Sequence, residues 1–110
     1  MSDLDKLIAA VEGGIWPGPD MHDALGSDRR GELAYAAFNG SLDADLALHE
    51  ALLPGHGWGA GPWGARVWLY SDHPKWDGSE RHEVDMVNAP ARAWLLAILR
   101  AYRQQRDGQP

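Results

Sequence analysis

Between Ser41 and Tyr70 the chain changes its hydrophobic period from helical to alternating, and only a mixed α/β fold accommodates that change. Ser41-Leu42-Asp43-Ala44-Asp45-Leu46-Ala47-Leu48 opens as a helix. Ser41 is a sound N-cap, and Asp43 and Asp45 stand where acids suit the positive end of the helix dipole. Leu42, Leu46, Leu53 and the pair Leu48/Leu52 predict a broad apolar face, with His49 lying on it. Pro54 and Gly55 end the helix near Leu53. The run His56-Gly57-Trp58-Gly59-Ala60-Gly61-Pro62-Trp63-Gly64 then reads as tight turns joining helix to strand. Arg66 to Tyr70 is a strand, with Val67 and Leu69 on one face and Arg66, Trp68 and Tyr70 on the other.

The flanking pieces follow the same rules. Leu4, Leu7, Ile8 and Val11 form one stripe of an N-terminal helix capped by Ser2 or Asp3 and stopped at Gly13-Gly14. Ile15-Trp16-Pro17-Gly18-Pro19 is irregular, because two prolines and a glycine break either ladder. Asp20 caps a short turn through Leu25, and Gly26 to Gly31 reads as an exposed loop. Leu33 to Phe38 suits helix by its alanines and strand by its Leu33/Tyr35 alternation. After a polar link, His82 to Val87 alternates, with Val84 and Met86 opposite Glu83 and Asp85. The link is too short for a crossover helix, so this strand pairs antiparallel with Arg66–Tyr70. Pro90 starts a final helix whose core stripe is Trp94, Leu95, Ile98, Leu99 and Tyr102.

At 110 residues and 45% hydrophobic, the chain is expected to be one domain with one core, residues 1–110. Helices packed on a small antiparallel sheet, an α+β sandwich, is the expected architecture. A net charge of −6 argues against general nucleic-acid affinity, which needs clustered Lys and Arg. The absence of cysteine removes disulfides, thiolate metal sites and cysteine nucleophiles. The N-terminus has no signal-peptide pattern and no apolar run reaches a membrane span, so a soluble, cytoplasmic protein is expected.

Leu4–Glu12, Gly18-Pro19-Asp20, Tyr35, the Ser41–Leu48 block, Gly57-Trp58 and Ala89-Pro90-Ala91-Arg92-Ala93 follow one order along the chain. That order resembles the phage ABA sandwich domain family of bacteriophage and prophage proteins. The resemblance implies an α/β sandwich and a phage origin, and it carries no catalytic residue, since the family has no established activity.

Several residue sets invite chemistry. Asp72-His73, Asp77 and His82-Glu83-Val84-Asp85 could converge as metal ligands or an acid–base pair, but alternation turns His82 away from Glu83 and Asp85. The competing reading is a polar loop and an acidic strand face paired to Arg66 across the ladder. His49 reads as a buried histidine bonded to a backbone carbonyl. The glycine run lacks the Gly-Lys-Ser/Thr ending of a phosphate loop. Trp68 and Trp94 are expected in the core. Trp16, Trp63 and Trp76 sit in loops, where an exposed indole signals binding. Arg100, Arg103 and Arg106 suit the C-terminal helix dipole better than they suit nucleic acid.

The expectation is a non-enzymatic accessory protein that binds a host protein or complex, such as an anti-CRISPR-type inhibitor of host defence. It involves no cofactor, metal, nucleic acid or membrane. The partner-binding set is Trp63, Asp72, Trp76, Asp77, Glu80, Glu83 and Asp85, whose carboxylates would occupy a basic groove. Self-association is left open. The rivals are a virion assembly component and a small metal-dependent hydrolase using His73 and His82.

Overall fold

The last helix is the hub of the molecule. A computed structural model describes residues 3–17, 24–69 and 81–107. Its elements run α1 (Asp3–Glu12), α2 (Asp28–Phe38), α3 (Leu42–Leu52), β1 (His56–Gly61), β2 (Gly64–Leu69), β3 (Arg81–Asp85) and α4 (Pro90–Asp107). The strands form one antiparallel sheet in the order β1-β2-β3, and four helices pack on it, an α+β architecture. Among the described residues only α4 makes extended contact with all three strands, and α1, α2 and α3 all pack on α4 in turn.

That central position explains a departure from expectation. The sequence predicts one apolar stripe on α4, yet Ala91, Ala93–Leu99 and Ala101 are all buried. A helix sandwiched between layers must be apolar nearly all round, and four alanines let its neighbours approach closely. Trp94, Leu95, Ile98 and Leu99 are fully buried, each worth about 2–3 kcal/mol of transfer free energy. Ion pairs then clip α1 to α4: Arg100 reaches Glu12 at 2.8 Å and Arg103 reaches Asp5 at 3.1 Å. Arg106 lies over the Tyr102 ring instead.

α1 buries Leu4, Leu7, Ile8 and Val11, as its periodicity predicts. The segment expected to be an exposed loop at 26–31 is instead the start of α2. Gly26 turns the chain at φ 92°, and Ser27 caps the helix by accepting from the Arg30 amide at 3.3 Å. The polar residues that look like loop are therefore a helix entrance, and the ambiguous stretch Leu33–Phe38 continues the same helix. The expected short turn from Asp20 lies mostly outside the described residues.

Ser41 caps α3 as expected, accepting from the Ala44 amide at 3.1 Å. The buried face of α3 differs from the leucine stripe. It consists of Ala44, Asp45, Leu48, His49 and Leu52, while Leu42 and Leu46 are 45% and 38% exposed. The helix is rotated so that two polar side chains face the core in place of two leucines.

The glycine–tryptophan run is the largest correction. It forms β1, an edge strand paired with β2 through Trp58↔Val67 and Gly61↔Gly64, and the turn is only Pro62-Trp63. The antiparallel pairing of β2 with β3 matches expectation, with Arg66 opposite Glu83 and Val67 opposite His82.

Candidate functional site

The register sorts the sheet into two faces. Toward α4 point Trp58, Ala60, Ala65, Val67, Leu69, His82 and Val84. Away from it point Gly57, Gly59, Gly61, Arg66, Trp68, Arg81, Glu83 and Asp85. Among the described residues no helix covers this second, outer face.

Its construction depends on the alternate glycines of β1. A Cβ on Gly57 would lie 2.4 Å from Trp68 Cε2, and one on Gly61 would lie 2.8 Å from Trp63 Nε1. Both indoles occupy space that side chains of β1 would otherwise fill. Trp68, expected in the core, is therefore half-buried on the outer face, whereas Trp94 is buried as expected. Trp63 is 45% exposed and has the Arg66 guanidinium 5.1 Å above its ring. Its backbone is held firmly: the Pro62 carbonyl accepts from the Asn88 amide at 2.8 Å, and the Trp63 carbonyl accepts from the Met86 amide at 3.1 Å. The hairpin tip presents a large indole on a fixed backbone.

The carboxylates of this face are partly answered. Glu83 meets Arg81 at 2.5 Å and Arg66 at 3.8 Å, the cross-ladder pairing that the sequence suggested. Asp85 is exposed beside them. With Arg66 and Arg81 against Glu83 and Asp85, the described part of the face is charge-balanced rather than acidic. Asp72, Trp76, Asp77 and Glu80 of the expected partner-binding set, and His73 with them, lie outside the described residues. His82 points inward, away from Glu83 and Asp85, and its Nε2 lies 2.5 Å from Gln104 Oε1. Among the described residues no three His, Asp or Glu side chains cluster as metal ligands would.

A second polar constellation lies on the core side. His49 Nε2 is 3.0 Å from the His56 carbonyl, and Trp94 Nε1 donates to His49 Nδ1 at 3.4 Å. An indole N–H only donates, so Nδ1 is the acceptor and the proton sits on Nε2, which donates to the carbonyl. Burial holds the His49 pKa below its ordinary value, with the His56 carbonyl and Glu50 opposing weakly. The ring is thus a neutral brace joining α3, β1 and α4, a carbonyl-bonded buried histidine as the sequence suggested. Trp94 also stacks on Trp58, centroids 4.0 Å apart.

Asp45, one turn before His49, is fully buried, and neither carboxyl oxygen has a hydrogen-bond partner. Burial pushes its pKa up to about 9, so the group is a neutral acid at physiological pH. The sequence places Asp45 at the helix entrance as a dipole-compatible acid and gives no sign that it faces inward.

No family model matches the chain, and no curated protein or solved structure is detectably similar to it. Among the described residues no helix is long and apolar enough to cross a membrane.

Proposed function

We propose that the protein acts by binding another protein through the outer face of its sheet. The observation that carries this reading is Trp63: a large indole, nearly half exposed, on a hairpin tip whose backbone is pinned to the end of β3. Rigid exposed tryptophan flanked by arginine is the composition of binding hot spots, because it buries much apolar area at little entropic cost. Arg66 lies over the Trp63 ring, and Trp68 and Asp85 share the same outer face of the sheet.

The phage-domain resemblance extends the proposal to a host complex as the partner, in the manner of an anti-CRISPR-type inhibitor. Between positions 71 and 85 the sequence holds Asp72, Asp77, Glu80, Glu83 and Asp85 against only Lys75 and Arg81. An excess of carboxylates in this stretch of the sequence suits a basic groove on the partner, steering association by charge, while Trp63 would anchor it by apolar contact.

The test is capture from bacterial lysate with the tagged protein in moderate salt, followed by quantitative binding to the retained complex. Trp63→Ala is expected to weaken binding by roughly tenfold or more, and Asp85→Lys by a smaller, salt-dependent factor. Unchanged affinity in both variants removes the outer face from the interaction.

A further inference from the structure

The two edges of the sheet are built differently. β3 carries Arg81, Glu83 and Asp85, the charged side chains that keep an edge from pairing with other chains. β1, His56-Gly57-Trp58-Gly59-Ala60-Gly61, has no lysine, arginine, carboxylate, proline or bulge. Such an edge is a template for strand addition.

Its hydrogen-bonding phase follows from His56. The His56 amide donates to the Leu53 carbonyl, and the His56 carbonyl accepts from His49 Nε2, so both groups point away from β2. In an antiparallel ladder the direction alternates from residue to residue. Gly57, Gly59 and Gly61 therefore bond to β2, and Trp58 and Ala60 aim their N–H and C=O groups at the other edge, where no described residue pairs with them. With His56 already engaged, the edge offers just these two residues.

We infer that β1 pairs antiparallel with β1 of a second copy, Trp58 opposite Ala60 of that copy and Gly59 on the two-fold axis. Only this register uses both open residues of each chain. Each Trp58/Ala60 pair exchanges two hydrogen bonds, as narrow antiparallel pairs do. The alternative register, Trp58 opposite Trp58, would set Ala60 against His56, whose groups are taken. Gly59 meets its own copy in a non-hydrogen-bonded pair, where Cα atoms approach to about 4.5 Å. The Trp58 indole, 43% exposed because α4 backs only its inner side, gains the methyl of Ala60 in the second copy. The two three-stranded sheets become one of six strands, closed by an isologous interface. The inference is independent of partner binding at Trp63.

Two variants test it, both at a position with room for a side chain: the nearest atom to a Cβ on Gly59 is Arg66 Cγ at 3.9 Å. The protein has no cysteine, so Gly59→Cys introduces a lone thiol at the axis, at a Cα spacing that a disulfide spans. Mild oxidation is expected to link most of the Gly59→Cys protein as a dimer, while Ala51→Cys on the exposed side of α3 links only by slow random collision. In sedimentation equilibrium the wild-type protein is expected to show a monomer–dimer equilibrium that Gly59→Lys weakens by roughly tenfold or more, through like charges facing at the axis. A wild-type protein that stays monomeric up to millimolar concentration overturns the inference. So does a dimer that survives Gly59→Lys, or a Gly59→Cys protein that links no faster than Ala51→Cys.

Discussion

Asp45 and His49 share the buried face of α3, one helical turn apart, and the fold treats them in opposite ways. Both ring nitrogens of His49 are engaged, one by a β1 carbonyl and one by the Trp94 indole. Both oxygens of Asp45 are orphaned. The difference teaches that burial alone does not define the role of a polar side chain. A buried group with complete partners ties elements together, whereas one without them stays neutral and costs stability.

The largest effect is expected on the satisfied side of the pair. His49→Ala removes the ring, with its hydrogen bonds to the His56 carbonyl and the Trp94 N–H, and leaves a cavity in the core. A loss of roughly 3 kcal/mol is expected from urea unfolding at pH 7. A loss under about 1 kcal/mol would mean that the brace carries little of the junction between α3, β1 and α4. His49→Gln, which keeps one donor and one acceptor, is expected to recover part of the difference.

The pH dependence of stability separates the two groups. The folded-state pKa of Asp45 is raised, so its stabilising share is fully present below the unfolded value near 4 and is lost as pH rises toward about 9. His49 is depressed, so its share is present above its unfolded value of about 6.5 and is lost as pH falls below that. Between about pH 4 and 6.5 the two slopes oppose. Above 6.5 only Asp45 acts, and stability is expected to decline by up to about 1.4 kcal/mol per pH unit. Asp45→Asn is expected to remove that decline, so that its stability relative to wild type rises steadily from about pH 4 and stands much higher at pH 8 than at pH 5. Chemical unfolding at pH 5, 6.5 and 8 checks both statements. An equally steep upper limb in Asp45→Asn would assign it to another group.

The contrast on α3 also marks how far the sequence could be read. Its cap at Ser41 and its end near Leu53 follow from local chemistry, and both stand in the structure. The same holds for the stripe of α1, the start of α4 at Pro90 and the alternation of β2 and β3, so the α+β class was legible. Which face of α3 turns inward was not. Leucine spacing admits a face centred on Leu42 and Leu46, and the rotation that buries Asp45 and His49 is decided by α4 and β1, which present the Trp94 indole and the His56 carbonyl to His49. β1 was hidden for a related reason. Glycine is depleted in strands, and its alternate placement here serves Trp63 and Trp68, side chains of the next turn and strand. Of the candidate binding residues, Trp63 was legible as an indole beside Pro and Gly. The Arg66 guanidinium over its ring appears only in the structure.

The smallest effect sharpens the contrast from the solvent side of α3. Leu42 and Leu46 look like core residues by spacing but are 45% and 38% exposed. Replacing each with glutamine keeps a good helix former and removes only partly buried apolar surface. Leu42→Gln and Leu46→Gln are each expected to change stability by less than about 0.5 kcal/mol, whereas Leu48→Ala, from the buried face, is expected to cost about 3 kcal/mol. Thermal unfolding of the three variants under one condition reads the rotation of the helix directly. If Leu46→Gln cost as much as Leu48→Ala, the buried face would be the leucine stripe after all. Asp45 would then face water, its ionised form would carry no penalty, and the upper limb of the pH profile would vanish with it.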